Sequence, residues 1–172
     1  MELLELTQKI KELFDVDDLA DLGPALKNVV MNADEATMDK FVELVGGDLE
    51  IDWLQKVYQY YLADRKDKKQ DYTPKCLAEF LSLLVGITDT VVDLCAGSGA
   101  LAIQHWARNK DQKFVLYEID AGVVPFLLFN LAVRNINATV YVGDALAEEY
   151  DNILQVRKGV KYGRVSRLES SL

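Results

Sequence analysis

The spacing of apolar residues divides the chain into a helical first part and a remainder in which strands alternate with helices. Leu3, Leu4, Leu6, Ile10, Leu13 and Phe14 fall on one helix face, with Lys9, Lys11 and Glu12 around it. Asp21-Leu22-Gly23-Pro24 reads as a turn that opens a second helix at Pro24. Asp34 is placed to cap a third helix through Met38, Phe41, Val42 and Val45, stopped by Gly46-Gly47. Asp48 restarts the chain into Ile51, Leu54, Val57, Tyr58 and Tyr61. The charged run from Asp64 to Asp71 then reads as a solvated linker.

Beyond the linker, Thr73 as N-cap and Pro74 at the first helical position predict a helix through Leu77, Phe80, Leu81, Leu84 and Val85, ended by Gly86. Strands are expected near residues 90–94, 113–118, 138–142 and 150–156. One helix, residues 100–108, separates the first two, and another begins at Pro125 and runs through Val133. That alternation predicts an α/β, Rossmann-like, doubly wound parallel sheet. Tyr162-Gly163-Arg164-Val165 offers one further hairpin strand. The chain thus divides into a helical N-terminal region, residues 1–71, and an α/β domain, residues 72–172.

Composition narrows the class. The 172 residues are 50% hydrophobic, ample for a core, yet no run reaches the roughly 18 apolar residues of a membrane span. The opening Met1-Glu2-Leu3-Leu4-Glu5 is acidic and amphipathic, unlike a secretion signal, so a cytoplasmic protein without membrane partners is expected. Cys76 and Cys95 read as reduced packing residues, with no disulfide and no metal site. The net charge of −9 is uneven: −8 over residues 1–72, −4 over 73–150 and +3 over 151–172. Polyanion affinity rests largely on phosphate neutralisation, so contact with DNA would need the basic tail or a partner.

The candidate chemistry sits at Val91-Val92-Asp93-Leu94-Cys95-Ala96-Gly97-Ser98-Gly99, a strand feeding a glycine turn feeding a helix. Gly97 and Gly99 allow a tight turn and close approach of backbone to a ligand. With Ala102 in third place, the glycine spacing also satisfies a relaxed dinucleotide fingerprint. Asp93, four positions before the first glycine, would repel a pyrophosphate and suits a cationic group instead. S-adenosylmethionine carries an ammonium and a sulfonium and no phosphate. Glu118, 19 residues after Gly99, matches the acidic residue that accepts from ribose hydroxyls in such folds, with Asp120 as its rival.

Asp93 to Gly99 resembles the first motif of S-adenosylmethionine-dependent methyltransferases, in the Asp-x-x-x-Gly-Ser-Gly form of N6-adenine DNA methylases, including the modification subunit of type I restriction systems. Tyr72-Thr73-Pro74 is similar to the Tyr-Thr-Pro element that closes over the methionine end of the cofactor. Gly143-Asp144-Ala145-Leu146 resembles the Gly-Asp-x-Leu element, whose aspartate meets the adenine amino group. The resemblance covers about 85 residues, Tyr72 to Val156. It implies a truncated class I methyltransferase fold and S-adenosyl-L-methionine as cofactor. The implied site comprises Tyr72, Thr73, Asp93, Ala96, Gly97, Ser98, Gly99, Glu118, Ile119, Asp144 and Ala145.

One element of the family is missing. After the strand resembled by Tyr150-Asp151-Asn152-Ile153-Leu154-Gln155, adenine methylases carry Asn/Asp-Pro-Pro-aromatic, which holds the target amine and stacks the flipped base. Here Val156-Arg157-Lys158-Gly159 follows, and the three prolines, Pro24, Pro74 and Pro125, are isolated. No catalytic residue is assigned. Three readings remain: a methyltransferase that needs a partner for its substrate, a non-catalytic cofactor-binding protein of a DNA modification or restriction complex, and a small-molecule or protein methyltransferase. A homodimer or larger complex is expected, reaching DNA through a partner subunit. The strand at 150–156 should lie near a sheet edge, with the basic tail or the acidic helices folding back to cover it. His105 reads as structural or surface-facing, Asn130 and Asn135 as surface or capping residues, and Trp53, Tyr58, Tyr60 and Tyr61 as packing.

Overall fold

A computed structural model describes residues 2–62 and 73–168. The Asp64–Asp71 run and Tyr72 lie outside the described residues. Helix α1, Leu3–Phe14, buries Leu6, Ile10 and Phe14 of the predicted face together with Thr7, whereas Leu4 turns to solvent at 75% exposure. A short 3-10 turn, Leu19–Asp21, runs directly into α2, Leu22–Met31. The helix therefore begins before Pro24. The Asp18 carboxylate accepts from the Ala20 N–H at 2.9 Å and sets the first turn earlier than the Gly-Pro pair would.

Asp34 caps α3, Glu35–Leu44, by accepting from the Thr37 N–H at 3.1 Å. Helix α4, Trp53–Val57, starts at Asp52 rather than Asp48. Asp52 accepts from the Gln55 N–H at 2.9 Å, while Asp48 closes a local turn with the Glu50 N–H at 3.1 Å. A π-helical turn, Tyr58–Leu62, follows. Helix α5, Lys75–Val85, has Pro74 at its N-cap, one residue later than expected, and ends at Gly86 with φ 74°.

Among the described residues five strands form one sheet in the order β1-β2-β3-β4-β5. They are β1 Thr90–Asp93, β2 Lys113–Glu118, β3 Asn137–Asp144, β4 Glu149–Arg157 and β5 Arg164–Leu168. The first three run parallel, joined through α6, Ala100–Arg108, and α7, Val124–Val133. The sheet is mixed rather than parallel throughout: β4 runs antiparallel to β3, and β5 antiparallel to β4. Only Ala145 to Glu148 separate β3 from β4, whereas a parallel crossover needs a dozen or more residues. A register shift falls at Val142/Gly143, where Gly143 has φ 146°. A Cβ there would sit 2.1 Å from the Glu149 carbonyl oxygen, so only glycine fits the bulge.

One sheet face carries the core. Val91, Phe114, Leu116, Ala138, Val140, Val142 and Val156 are buried, and the strand registers place them on a single side. There α7 is buried along almost its whole length. Phe129 of α7 meets the rings of Phe14 and Phe41 edge-on at 5.4 and 5.0 Å, so α1 and α3 share the sheet's core. The opposite face is barer: Val92 is 59% exposed, and the rings of Tyr117 and Tyr141 stack at 4.8 Å. The α/β Rossmann-like, truncated class I fold is thus present, with its winding confined to the first three strands.

The C-terminal segment folds back as its charge suggests. Lys161 pairs with Asp39 at 2.5 Å, Arg164 with Glu35 at 2.5 Å and Lys158 with Asp111 at 2.6 Å. The Tyr162 hydroxyl donates to Asp39 as well, and the Gly163 N–H to the Ala132 carbonyl at 2.8 Å. Strand β5 covers the outer side of β4, leaving β1 and β5 as the two edges. Among the described residues no helix is long and apolar enough to cross a membrane.

Candidate functional site

Parallel pairing steps three carboxylates across one edge of the sheet. Asp93, Glu118 and Asp144 each close their strand, and Asp93 lies beside Leu116 while Glu118 lies beside Val142. This is the carboxyl edge, where open α/β sheets take ligands.

The glycine loop is tied to that edge by its own backbone. The Ala96 N–H donates to the Tyr117 carbonyl at 2.9 Å, and the Gly99 N–H to the Ala96 carbonyl at 2.9 Å. The Gly97 N–H donates to Glu118 Oε2 at 2.7 Å. Gly97 and Gly99 have φ 55° and 99°, and a Cβ on Gly99 would press Leu127 at 3.0 Å. The loop turns tightly here and delivers α6.

Glu118 is buried. Its second oxygen accepts from the Asp120 N–H at 2.7 Å. Asp120 closes its own turn by accepting from the Gly122 N–H at 2.9 Å, and β2 ends at Glu118. Asp93 Oδ1 accepts from the Cys95 N–H at 3.0 Å, whereas Oδ2 is buried with no hydrogen-bond partner. Burial pushes both the Asp93 and the Glu118 carboxyls above their ordinary values, and each is pulled partly back by its backbone hydrogen bonds. A buried, unpaired carboxylate oxygen is costly until a cation or a donor meets it. S-adenosylmethionine brings both, so the residues present fit that cofactor.

The remaining expected site residues divide into two groups. Asp144 Oδ1 accepts from the N–H groups of Leu146 and Ala147 at 2.8 and 3.1 Å, which shapes the turn around half-buried Ala145. Ile119 stands 69% exposed just beyond Glu118, an apolar surface at the strand end. Ser98 faces the other way: its hydroxyl is buried and donates to Asp52 Oδ2 at 2.7 Å. Thr73 lines a cleft of about 340 Å³ together with Asp52, Gln55, Ala100 and Gln104. Its carbonyl accepts from Gln55 Nε2 at 3.4 Å.

Behind the loop lies a polar cluster that sequence reasoning missed. Asn130 is 1% exposed and donates through Nδ2 to Asp52 Oδ1 and to the Ser98 carbonyl, both at 2.9 Å. It is neither a surface nor a capping residue. Arg134 is also buried and donates to Asn130 Oδ1 at 2.8 Å and to the Leu49 and Ile51 carbonyls at 2.7 and 2.9 Å. Desolvation lowers the Arg134 pKa to about 10 and raises that of Asp52, each opposed by the other's charge. The available signal was Asn130 and Arg134 themselves, two polar side chains four apart at the end of an otherwise apolar run. Asn135, by contrast, takes the left-handed cap position at φ 55° and exchanges two hydrogen bonds with Gly159.

His105 is structural, packed edge-on to Phe114 at 6.4 Å and held below its ordinary pKa by burial. Cys76 and Cys95 are free and exposed, not packing residues, because α5 and the loop turn them to solvent. Tyr58 packs in the core, whereas Tyr60 is 70% exposed.

Residues 66–156 match the methyltransferase small domain family. No curated protein and no solved structure gave a match. Use of S-adenosylmethionine is what that family's chemistry implies.

Proposed function

The chain belongs to the methyltransferase small domain family, and on that premise we propose that it holds S-adenosylmethionine at its carboxyl edge for methylation of adenine N6 in DNA. The observation that carries this reading is the Asp93–Glu118 pair. Asp93 offers a buried, unpartnered carboxylate oxygen, and Glu118 lies at the adjoining strand end with a fixed orientation. Glu118 takes the ribose hydroxyls, Ile119 and Asp144 the adenine, and Thr73 with the Ala96–Gly99 backbone the methionine end. When bound, the cofactor supplies a methyl group on a positively charged sulfur, and positioning then provides most of the rate.

The adenine-specific part rests on the Tyr-Thr-Pro, Asp-x-x-x-Gly-Ser-Gly and Gly-Asp-x-Leu elements occurring in order. An exocyclic adenine amine is a weak nucleophile, and this chain lacks the Asn/Asp-Pro-Pro acceptors that would hold it. A partner therefore supplies the acceptor side, as a second copy of the chain or as a larger subunit. Two features favour this: β1 is an edge strand beside the cofactor loop, and Leu77, Phe80, Leu83 and Leu84 of α5 stand exposed. The same features suit the second reading, a cofactor-binding, non-catalytic member of a DNA modification complex.

Calorimetry with S-adenosylmethionine tests the cofactor, with micromolar binding expected. Transfer of labelled methyl to DNA, to protein extract and to small amines, each with and without partners recovered from the native source, separates the remaining readings. Label in DNA only with the partner present is the expected result. Binding without transfer under every condition selects the non-catalytic reading, and label in protein or amines refutes the DNA assignment.

A further inference from the structure

The short helix α4 stands far from the glycine loop in sequence and touches both arms of the cofactor site. Asp52, at its N-cap, collects three donors. Oδ1 accepts from the Gln55 N–H and from Asn130 Nδ2, and Oδ2 accepts from the Ser98 hydroxyl at 2.7 Å. Asn130 also takes the Ser98 carbonyl, so Ser98 is gripped from behind by both its side chain and its backbone. From the same helix, Gln55 reaches the Thr73 carbonyl. The segment before α4 is strapped down in turn. Arg134 binds the carbonyls of Leu49 and Ile51, and Gln104 Nε2 binds that of Glu50 at 2.7 Å.

A buried carboxylate joined through Asn130 to a buried guanidinium gains little stability over well-packed apolar residues of the same volume. Such a network does define one geometry for the groups it joins. Here it joins the glycine loop to the Thr73 segment, across the cleft lined by Asp52, Gln55, Thr73 and Ala100. We infer that Asp52 is a positioning residue for the methionine end of the cofactor, setting the distance between the glycine loop and the Thr73 segment through Ser98 and Gln55. Its carboxylate oxygens are taken up by protein donors, the Gln55 N–H, Asn130 Nδ2 and the Ser98 hydroxyl, so it acts through the groups it holds. This rests on the cofactor reading above, in which the adenosine end is held separately by Glu118 and Asp144.

That separation gives the test. Affinities for S-adenosylmethionine and for adenosine are measured by calorimetry on the wild type and on Asp52→Ala, Asp52→Asn and Ser98→Ala, with thermal melts beside them. Loss of a hydrogen bond to a charged group is worth about tenfold or more in affinity. Asp52→Ala and Ser98→Ala are expected to weaken S-adenosylmethionine by about that factor while adenosine changes by less than about twofold. Asp52→Asn, which keeps the size and a hydrogen-bonding side chain, is expected to restore most of the loss. Ser98→Ala carries the test if Asp52→Ala leaves Arg134 too poorly paired to fold. Equal weakening of both ligands marks a merely structural role and overturns the inference, as does unchanged affinity for S-adenosylmethionine. A wild type that binds neither ligand overturns the cofactor reading instead, and the inference falls with it.

Discussion

At the scale of single residues, the site is defined by carboxylates that the fold has partly taken out of water. Glu118 orients the loop through Gly97 and is the residue proposed to take the ribose hydroxyls. Glu118→Ala is expected to weaken S-adenosylmethionine binding by about 1–3 kcal/mol, read by calorimetry on a variant whose melt shows it folded. Unchanged affinity would remove its ribose role. Asp93 and Glu118 both titrate above the unfolded carboxylate range because burial penalises their charged forms. The sign of the pH effect follows. The fold binds their protons more tightly than the unfolded chain does, so these groups favour folding at acid pH. That contribution is lost as pH rises from the ordinary carboxylate range, about 4, through their raised values. A cationic ligand prefers the ionised pair, so cofactor affinity should rise over the same window. Calorimetric titrations from about pH 4 upward check this. Affinity that falls as pH rises would contradict an anionic Asp93–Glu118 site.

At the scale of elements, the β3–β4 connection decides how the sheet ends. The chain leaves Asp144, turns through four residues and returns antiparallel, with the bulge at Gly143 absorbing the register shift. The Asp144 carboxylate belongs to that turn through Leu146 and Ala147, so hairpin geometry sets where this strand-end carboxylate stands. Gly143→Ala would force a Cβ against the backbone of Glu149 and Tyr150 at φ 146°. Neither backbone can yield as a side-chain tip would, and a loss of about 3 kcal/mol or more is expected in urea unfolding. A loss under about 1 kcal/mol would mean that the bulge relaxes at little cost. Gly99→Ala is the milder counterpart, since its neighbour is the flexible end of Leu127.

At the scale of the molecule, the helices gather on one side of the sheet and leave the other side thinly covered. Val92 and Leu94, on and after β1, and Ile87 and Leu84, just before it in the chain, are exposed apolar residues near the edge strand β1 in sequence. Uncovered edges and apolar patches of this kind drive association. Light scattering at micromolar concentration is expected to give a mass above the monomer's, and Val92→Lys to return it to the monomer. A monomeric wild type would eliminate the second-copy form of the partner and leave a larger subunit. The acidic helices do not add to this surface: Asp39 and Glu35 are already met by Lys161 and Arg164 of the returning tail.

Near-neighbour chemistry was legible in the sequence, because periodicity and capping act over a turn or two of chain. The inner face of α1, the extent of α7 from Pro125 to Val133, the Asp34 cap, the glycine loop and the strand-end carboxylates Asp93, Glu118 and Asp144 all follow from residues within a few positions of one another. The antiparallel return of β4 went against the parallel sheet expected from the alternation of strands and helices, because the strand's own pattern fits either direction and its direction is set by the length of the connection. Tertiary packing alone decided the rest. Asp52 meets Ser98 across 46 positions and Arg134 meets Leu49 across 85, and nothing local distinguishes these residues from a helix cap, a loop serine or a surface arginine. Their partners were selected when α7 was buried between the sheet and the N-terminal helices, where each remaining polar group had to find another.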